Sequence, residues 1–362
     1  MLRKASALLA LILVSAVASG CAGAPPGDKA GGPGGGPVVL RMASTLGLDA
    51  IPPVADFIRR VKALSGGTLQ IKVINQWGDW APDAEAQVVR AAGAGTVDLG
   101  WAGSRVFDTI GVPGLRALSA PMLIDSYPLE NAVLRSAMPG RMLAGLASVH
   151  VTGLAVLGEG LRLPISARRP LLAPADWRGV SFGTYRSQVQ EETIRALGAT
   201  PVVAFGPVRS HALGSGQIQG FELDLSRYVL LAGLAAGAPY VAANVALWPE
   251  FDVLIASPGR LASLTAQQRT WLRQAADDAT KNSVELASGN AASIGRACAM
   301  GARFATATPA DLAALRRSLS VVYQHLQADP QTRAFLQQIQ RLKNSTPAGP
   351  APRIPAGCTR EP

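Results

Sequence analysis

GLRLPISARRPLLAPADWRGVSFGTYR, residues 160–186, concentrates arginine in a chain where Asp, Glu, Lys and Arg together make up only 16% of residues. An apolar strand runs into Arg162, a Pro-rich link follows, and a second short strand leads to Arg186. Guanidinium groups placed after strands either form a solvated surface or turn inward to hold an anion, and the fold around them decides which. Working outward, strand and helix signals alternate on both sides of the stretch. Upstream, residues 38–44, 68–74 and 96–104 read as strands, with helices over 51–67 and 84–95 between them. A second round starts with a strand at 150–161. It continues through a strand at 179–184, a helix at 187–199, a strand at 200–205 and a short helix at 206–216. This βαβ rhythm predicts an α/β fold with a parallel, doubly wound sheet.

Downstream, PYVAANVALW (239–248) and DVLIASP (252–258) read as strands returning to the first half, after which only helices follow. Thr265 and Gln268 form a capping box for a helix running toward Cys298; roughly 30 residues at 1.5 Å each would reach about 45 Å, enough to span two lobes. A further helix starts at Thr308-Pro309 and keeps Leu312, Leu315, Leu319, Val322 and Leu326 on one face, and Asp329-Pro330 starts another. About 325 residues lie beyond the N-terminal region, above the size at which one core divides, so two lobes are expected. The expected division is 38–159 with 242–285 as lobe I, 160–241 with 286–343 as lobe II, and 344–362 as a Pro-rich tail. Ligands in such sheets sit outside the carboxyl ends of strands, which directs attention to 101–104, 159–162, 183–186 and 220–224.

The N-terminus sets the compartment. Arg3 and Lys4 precede an apolar run and small residues ending at Cys21, the form of an export signal over 1–20 with a lipobox at Ala18-Ser19-Gly20-Cys21. Acylation of Cys21 would anchor the chain, and the Gly- and Pro-rich residues 21–37 would serve as a tether. The formal charge of +10 suits an anionic lipid surface or an acidic ligand. Scattered basic residues and few aromatics speak against nucleic acid. In an oxidising compartment Cys298 and Cys358 are expected to form a disulfide. No metal site is expected, since no His or Cys stands at ligand spacing. His150, His211 and His325 are isolated and no HExxH or GxSxG pattern occurs, so neither catalysis nor a cofactor is implied.

Two passages carry a resemblance. INQWGDWAPDAEAQVVRAAGAGTVDLGWAGS is similar to the "strand, QLG, helix, G-x-x-D" passage of the DctP-type extracytoplasmic solute receptors of tripartite ATP-independent periplasmic (TRAP) transporters. The block from Gly160 through Glu222 resembles that family's arginine after the fourth strand, its "LKGLKIRVP", its "ALGA-P-P" and its "V-x-x-AL-x-x-G-x-x-DG-x-E". The similarity runs from about residue 38 to 343. It implies two periplasmic-binding-protein-like lobes, joined by hinge strands and a long helix, that close on a small, usually carboxylate-bearing solute. The solute is then passed to a separate membrane permease, and the receptor does no chemistry. Arg162 matches one site arginine and Glu222 the family's glutamate. The principal carboxylate-clamping arginine falls on Gly183, and the asparagine after the glutamate falls on Leu223.

The candidate ligand-binding residues each have an ordinary structural alternative. Arg162 offers two parallel donors to a carboxylate, or pairs with Glu159 or Glu222. Arg186, at a helix start, either replaces the missing clamp or lies on the surface. Trp80, Trp101 and Trp248 form an apolar wall or pack the lobes and hinge. Ser104 and Gly183 end strands at the expected cleft. Glu222 and Asp224 accept from ligand hydroxyls or amines, or hold Arg162 and Arg227. Two rival functions stay open: a receptor for a neutral or zwitterionic solute, and a surface lipoprotein that senses or scaffolds without transport.

Overall fold

The computed structural model describes residues 36–231, 234–287 and 290–359. The leader (1–20), Cys21 and nearly all of the tether lie outside the described residues. Residues 37–362 make up one structural unit, and no described helix is long and apolar enough to cross a membrane.

Ten strands form the frame. These are β1 (Val38–Ala43), β2 (Leu69–Ile74), β3 (Leu99–Gly103), β4 (Thr152–Ser166), β5 (Ser181–Thr184), β6 (Thr200–Val203), β7 (Gly220–Leu223), β8 (Tyr240–Ala242), β9 (Trp248–Ala256) and β10 (Arg303–Ala305). The order is β2-β1-β3-β9-β4-β7-β5-β6, with β8 also on β4 and β10 on β8. The outer members of each half are parallel, as the βαβ rhythm predicts, but β9 and β4 run antiparallel to their neighbours in the middle. The sheet is therefore mixed rather than wholly parallel.

β4 is the joint. Its 15 residues extend about 50 Å. Residues from Thr152 to Arg162 pair with β9 in the first half, and Leu163 to Ser166 pair with β7 in the second. The changeover follows a register shift between Gly158 and Gly160, where Glu159 is extra. Gly160 adopts φ +144°, and a Cβ there would lie 3.0 Å from that of Asp224, so glycine is required at the bulge.

Local chemistry explains the helices that flank this frame. Pro52-Pro53 opens the helix Pro52–Leu64, and Val54, Phe57 and Val61 form its buried face. Together with Leu272, Ala275, Ala276 and Ala279 of the helix Ala266–Ala287, they cover one side of the first half. The second half has its own apolar cluster around Ile165, Phe221, Leu223, Tyr228 and Phe304. Cys358 joins that cluster and is disulfide-bonded to Cys298, with Cα atoms 5.7 Å apart.

Two sequence expectations need correction. PYVAANVALW does not return as one strand: its start forms β8, on the second-half end of β4, and only Trp248 begins the return strand. Beyond Thr265, helix covers Ala266–Ala287 and Asn290–Ala299, with 288–289 outside the described residues. The helix from Thr308 is two, Pro309–Ser318 and Ser320–Ala328, meeting at Leu319. Its apolar face continues across the break, with Leu315, Leu319, Val322 and Leu326 buried and Leu312 half-buried.

Candidate functional site: an arginine and carboxylate seam

The bulge in β4 and the ends of β3, β7 and β9 bring charged side chains together where the halves join. Arg162 is wholly buried. Its Nη2 donates to Glu250 Oε2 at 3.0 Å, while Glu222, Asp224 and Glu159 stand 3.6, 3.8 and 4.0 Å away. Nε and Nη1 of Arg162 have no hydrogen-bond partner, so the longer pairs supply charge but no hydrogen bonds. The ion pairing with Glu159 and Glu222 is therefore present, with Glu250 nearer than either.

Two more buried arginines complete this network. Arg105 Nη2 donates to both carboxylate oxygens of Glu85, at 2.7 and 2.8 Å, and its Nη1 pairs with Glu250. Gly103 has no side chain because the Arg105 guanidinium occupies the place of its Cβ. Arg227 pairs with Glu159 and donates through Nε to the Ala50 carbonyl at 2.9 Å. Burial opposes the charge on Arg227, but Glu159 and Asp224 outweigh it and raise its pKa.

The carboxylates respond in different ways. Burial pushes Asp252 well above the usual range, and the nearby Glu159 charge adds to this. Neither Asp252 oxygen has a partner. Burial also raises Glu159 and Glu222 against the pull of the arginines. Asp224 goes the other way: burial works to raise it, but Arg227 and Arg162 hold it down. One oxygen each of Glu159, Glu250 and Asp252 lie within 4.8 Å of one another. Arg105 and Arg162 pair with Glu250, and Arg227 pairs with Glu159, so guanidinium groups already occupy the place a cation would take.

A cavity of about 340 Å³ opens at the seam. Asp49, Pro52 and Pro53 line it from the first half, Glu159 from the β4 bulge, and Asp224 and Arg227 from the second. That volume is of the order of a small-molecule pocket. Beside the network lies an aromatic cluster: Tyr185 stacks on Phe205 with ring centroids 5.2 Å apart, and Trp80 approaches Phe205 at 6.0 Å. Arg105 sits 3.8 Å over the Tyr185 ring, and Arg162 lies 5.6 Å from its centroid. Trp80 belongs to the loop after β2, and Gly206, at φ +54°, leaves room for its indole.

The residues expected from the sequence divide accordingly. Arg162, Glu222, Asp224 and Trp248 meet at the seam, Trp248 standing opposite Arg162 across β4 and β9. Trp80 joins the aromatic cluster, and Ser104 is buried next to Arg105. Trp101 does not face the cleft: it sits in the first-half core, where its indole donates to Ser44 Oγ at 2.8 Å. Arg186 is exposed; the neighbouring Ser187 provides the helix cap, and that turn is held from the first half by Asp108. Leu223 is buried in the second core. Arg105, Arg209 and Arg227 carry no local signal in the sequence, because nothing local distinguishes a buried arginine from a solvated one; Tyr185 likewise gains its place only through Arg105 and Phe205.

A family model described as bacterial extracellular solute-binding protein, family 7 (DctP), matches residues 52–329. The C4-dicarboxylate-binding periplasmic protein DctP of Rhodobacter capsulatus is 32% identical over 117 residues, 32% of this chain and 34% of that protein. An uncharacterized protein, y4mM, of Sinorhizobium fredii is 27% identical over half of this chain and 34% of its own length. The chain thus spans about a third of the length of these relatives. Among solved structures, a TRAP periplasmic solute-binding protein of Ralstonia eutropha with bound (S)-2-acetolactate superposes with a TM-score of 0.77 at 22% identity, covering 85% of this chain and 99% of that one. The sugar acid binding protein DctPAm of Advenella mimigardefordensis, in complex with galactonate, gives 0.76 at 19%, covering 86% and 99%. A Chromohalobacter salexigens receptor with bound D-glucuronate gives 0.74 at 21%, covering 84% and 99%. All three share this chain's two-lobed fold. The chain belongs to the DctP family of bacterial extracellular solute-binding proteins.

Proposed function

We propose that this chain is a membrane-anchored receptor that captures a small organic acid by closing two lobes and delivers it to a TRAP-type permease. The lobes we assign are 38–159 with 242–285 and 160–241 with 286–343. The observation that carries the reading is the 340 Å³ cavity at the seam, lined from both halves and adjoining a set of buried arginines. Support comes from the carboxylates bound by the three structural neighbours, acetolactate, galactonate and glucuronate. Cys21 carries the anchor in this reading; a Cys21→Ser variant is expected to leave the membrane fraction, and retention there would remove the anchor.

The test is thermal. The purified full-length protein is melted with galactonate, D-glucuronate, D-galacturonate or 2-acetolactate, and with glucose and galactose as uncharged controls. At a hundredfold excess over Kd, a bound acid adds about 2.7 kcal/mol to stability. A shift with one class of acid and none with the sugars is expected; no shift with any acid contradicts the reading.

A second reading has its own observation. Glu85, Glu159, Glu222, Asp224, Glu250 and Asp252 outnumber the buried arginines at the seam, and Gly183 and Leu223 offer no donor. A zwitterionic or neutral solute suits such a surround. Affinity that ignores both ligand charge and ionic strength would favour it.

A further inference from the structure

Four arginines are buried among the described residues: Arg105, Arg162, Arg209 and Arg227. Three are matched by carboxylates. Arg209, on the helix Gly206–Gly214, has no ion pair and no side-chain hydrogen bond among the described residues, and its Nε is buried without a partner. It is 3% exposed. Its guanidinium sits 5.3 Å over the face of Phe221, a contact worth far less than the hydration it gives up. Burial draws its pKa down, while Tyr185 and Glu222 pull the other way.

The place of this cation matters. Gly183 pairs with Phe221 between β5 and β7. The Cβ that Gly183 lacks would lie 2.9 Å from Ile218 Cδ1 and 3.3 Å from Phe221 Cβ. A side chain at 183 would therefore run along the flank of Phe221, whose ring Arg209 covers. The neighbouring helix thus supplies, on the same ring, a positive group that β5 does not.

We propose that Arg209 is the charge-neutralising ligand residue of this receptor, its guanidinium meeting the carboxylate of the captured acid beside Tyr185 and Phe221. The assignment rests on the function proposed above. Arg162, surrounded by four carboxylates, then serves to position the seam; Arg227 and Arg296 line the cavity described above, and Arg209 is the buried arginine with no carboxylate partner among the described residues. Trp80 and Arg105 reach the aromatic cluster from the first half and Phe205 and Tyr185 from the second, so separation of the lobes gives an anion its way in.

The test uses the purified full-length protein, Arg209→Met and Arg209→Lys. A residue that only stabilises the fold and one that waits for an anion differ in the ligand-free state. Replacing an unpaired buried cation with an apolar side chain of similar length should raise the ligand-free melting temperature by about 2 °C or more. Titration with whichever of the four acids shifts the wild type should weaken roughly a hundredfold or more in Arg209→Met, with partial recovery in Arg209→Lys. A ligand-free Arg209→Met that melts below the wild type overturns the proposal whatever the ligand. Undiminished acid binding in Arg209→Met overturns it and leaves the receptor function standing. A wild type that no acid shifts contradicts the receptor function, and this assignment with it.

Discussion

Glu130 is wholly buried, neither of its carboxylate oxygens has a partner, and burial, with Glu159 nearby, pushes its pKa up to about 8. Its ordinary value is 4.5, so between these values the folded chain holds a proton that the unfolded chain has released. The contribution is full below the unfolded value and is lost as pH rises through the window, by up to about 1.4 kcal/mol per pH unit. Glu130→Gln removes this dependence: denaturant titrations at pH 5 and pH 8 are expected to differ less in the variant than in the wild type. An unchanged difference would mean Glu130 is ionised when folded. The nearby Gly158 has no side chain because the Glu130 carboxylate fills its Cβ place. Gly160→Ala, at φ +144° and against Asp224, is expected to cost about 1–3 kcal/mol by the same assay. Arg162 was legible because an apolar run leads into it within a recognisable block. Arg209 was not, since its environment depends on Phe221 of β7 coming beneath it. A sequence shows that an arginine is present but not whether a carboxylate comes within reach of it.

Helix starts were the most readable elements, because the signals are local. Thr265 and Gln268 exchange the two hydrogen bonds of a capping box, at 3.0 and 3.2 Å. Thr308 and Asp311 do the same at 3.0 and 3.2 Å, and Thr308→Ala is expected to lower stability by about 1 kcal/mol, read by denaturant midpoint. The full extent of β4 was not readable: Pro164 looks like a strand end, and the strand continues because its pairing passes from β9 to β7. The first turn of the helix Gln188–Ala196, capped by Ser187, also has a non-local tie. Asp108, from the 3₁₀ segment Ser104–Ile110, accepts from Ser187 Oγ at 2.9 Å and from the amide of Val189 at 3.1 Å. Burial raises the pKa of Asp108 against these bonds. Asp108→Ala should loosen this tie between β3's following segment and the β5–β6 crossover, giving earlier hydrogen exchange at residues 187–190. Unchanged protection there would show that the tie is dispensable.

For the whole molecule, the two-lobed fold followed from length, strand rhythm and the ordered motif block. The way the lobes meet did not. The seam is charged and its side chains are deeply buried, with carboxylates kept there through arginine pairing or protonation, and that balance exists only after β3, β4, β7 and β9 converge. The Cys298–Cys358 disulfide, at a sequence separation of 60, pins the C-terminal tail to the second-half core. In the chain-entropy account its loss costs about 4 kcal/mol. Reduction is expected to lower the melting temperature, and an unaltered one would show that the tail stabilises nothing.

The central claim is that this seam accepts the charge of a small organic acid despite the carboxylates around it. Calorimetric titration of the full-length protein with an acid and its uncharged twin, D-galacturonate against galactose or D-glucuronate against glucose, tests it most directly. The account expects saturable binding of one acid at one site per chain, weakening as salt rises, and no heat from the sugar. Equal binding of both members of a pair, indifferent to salt, would contradict it.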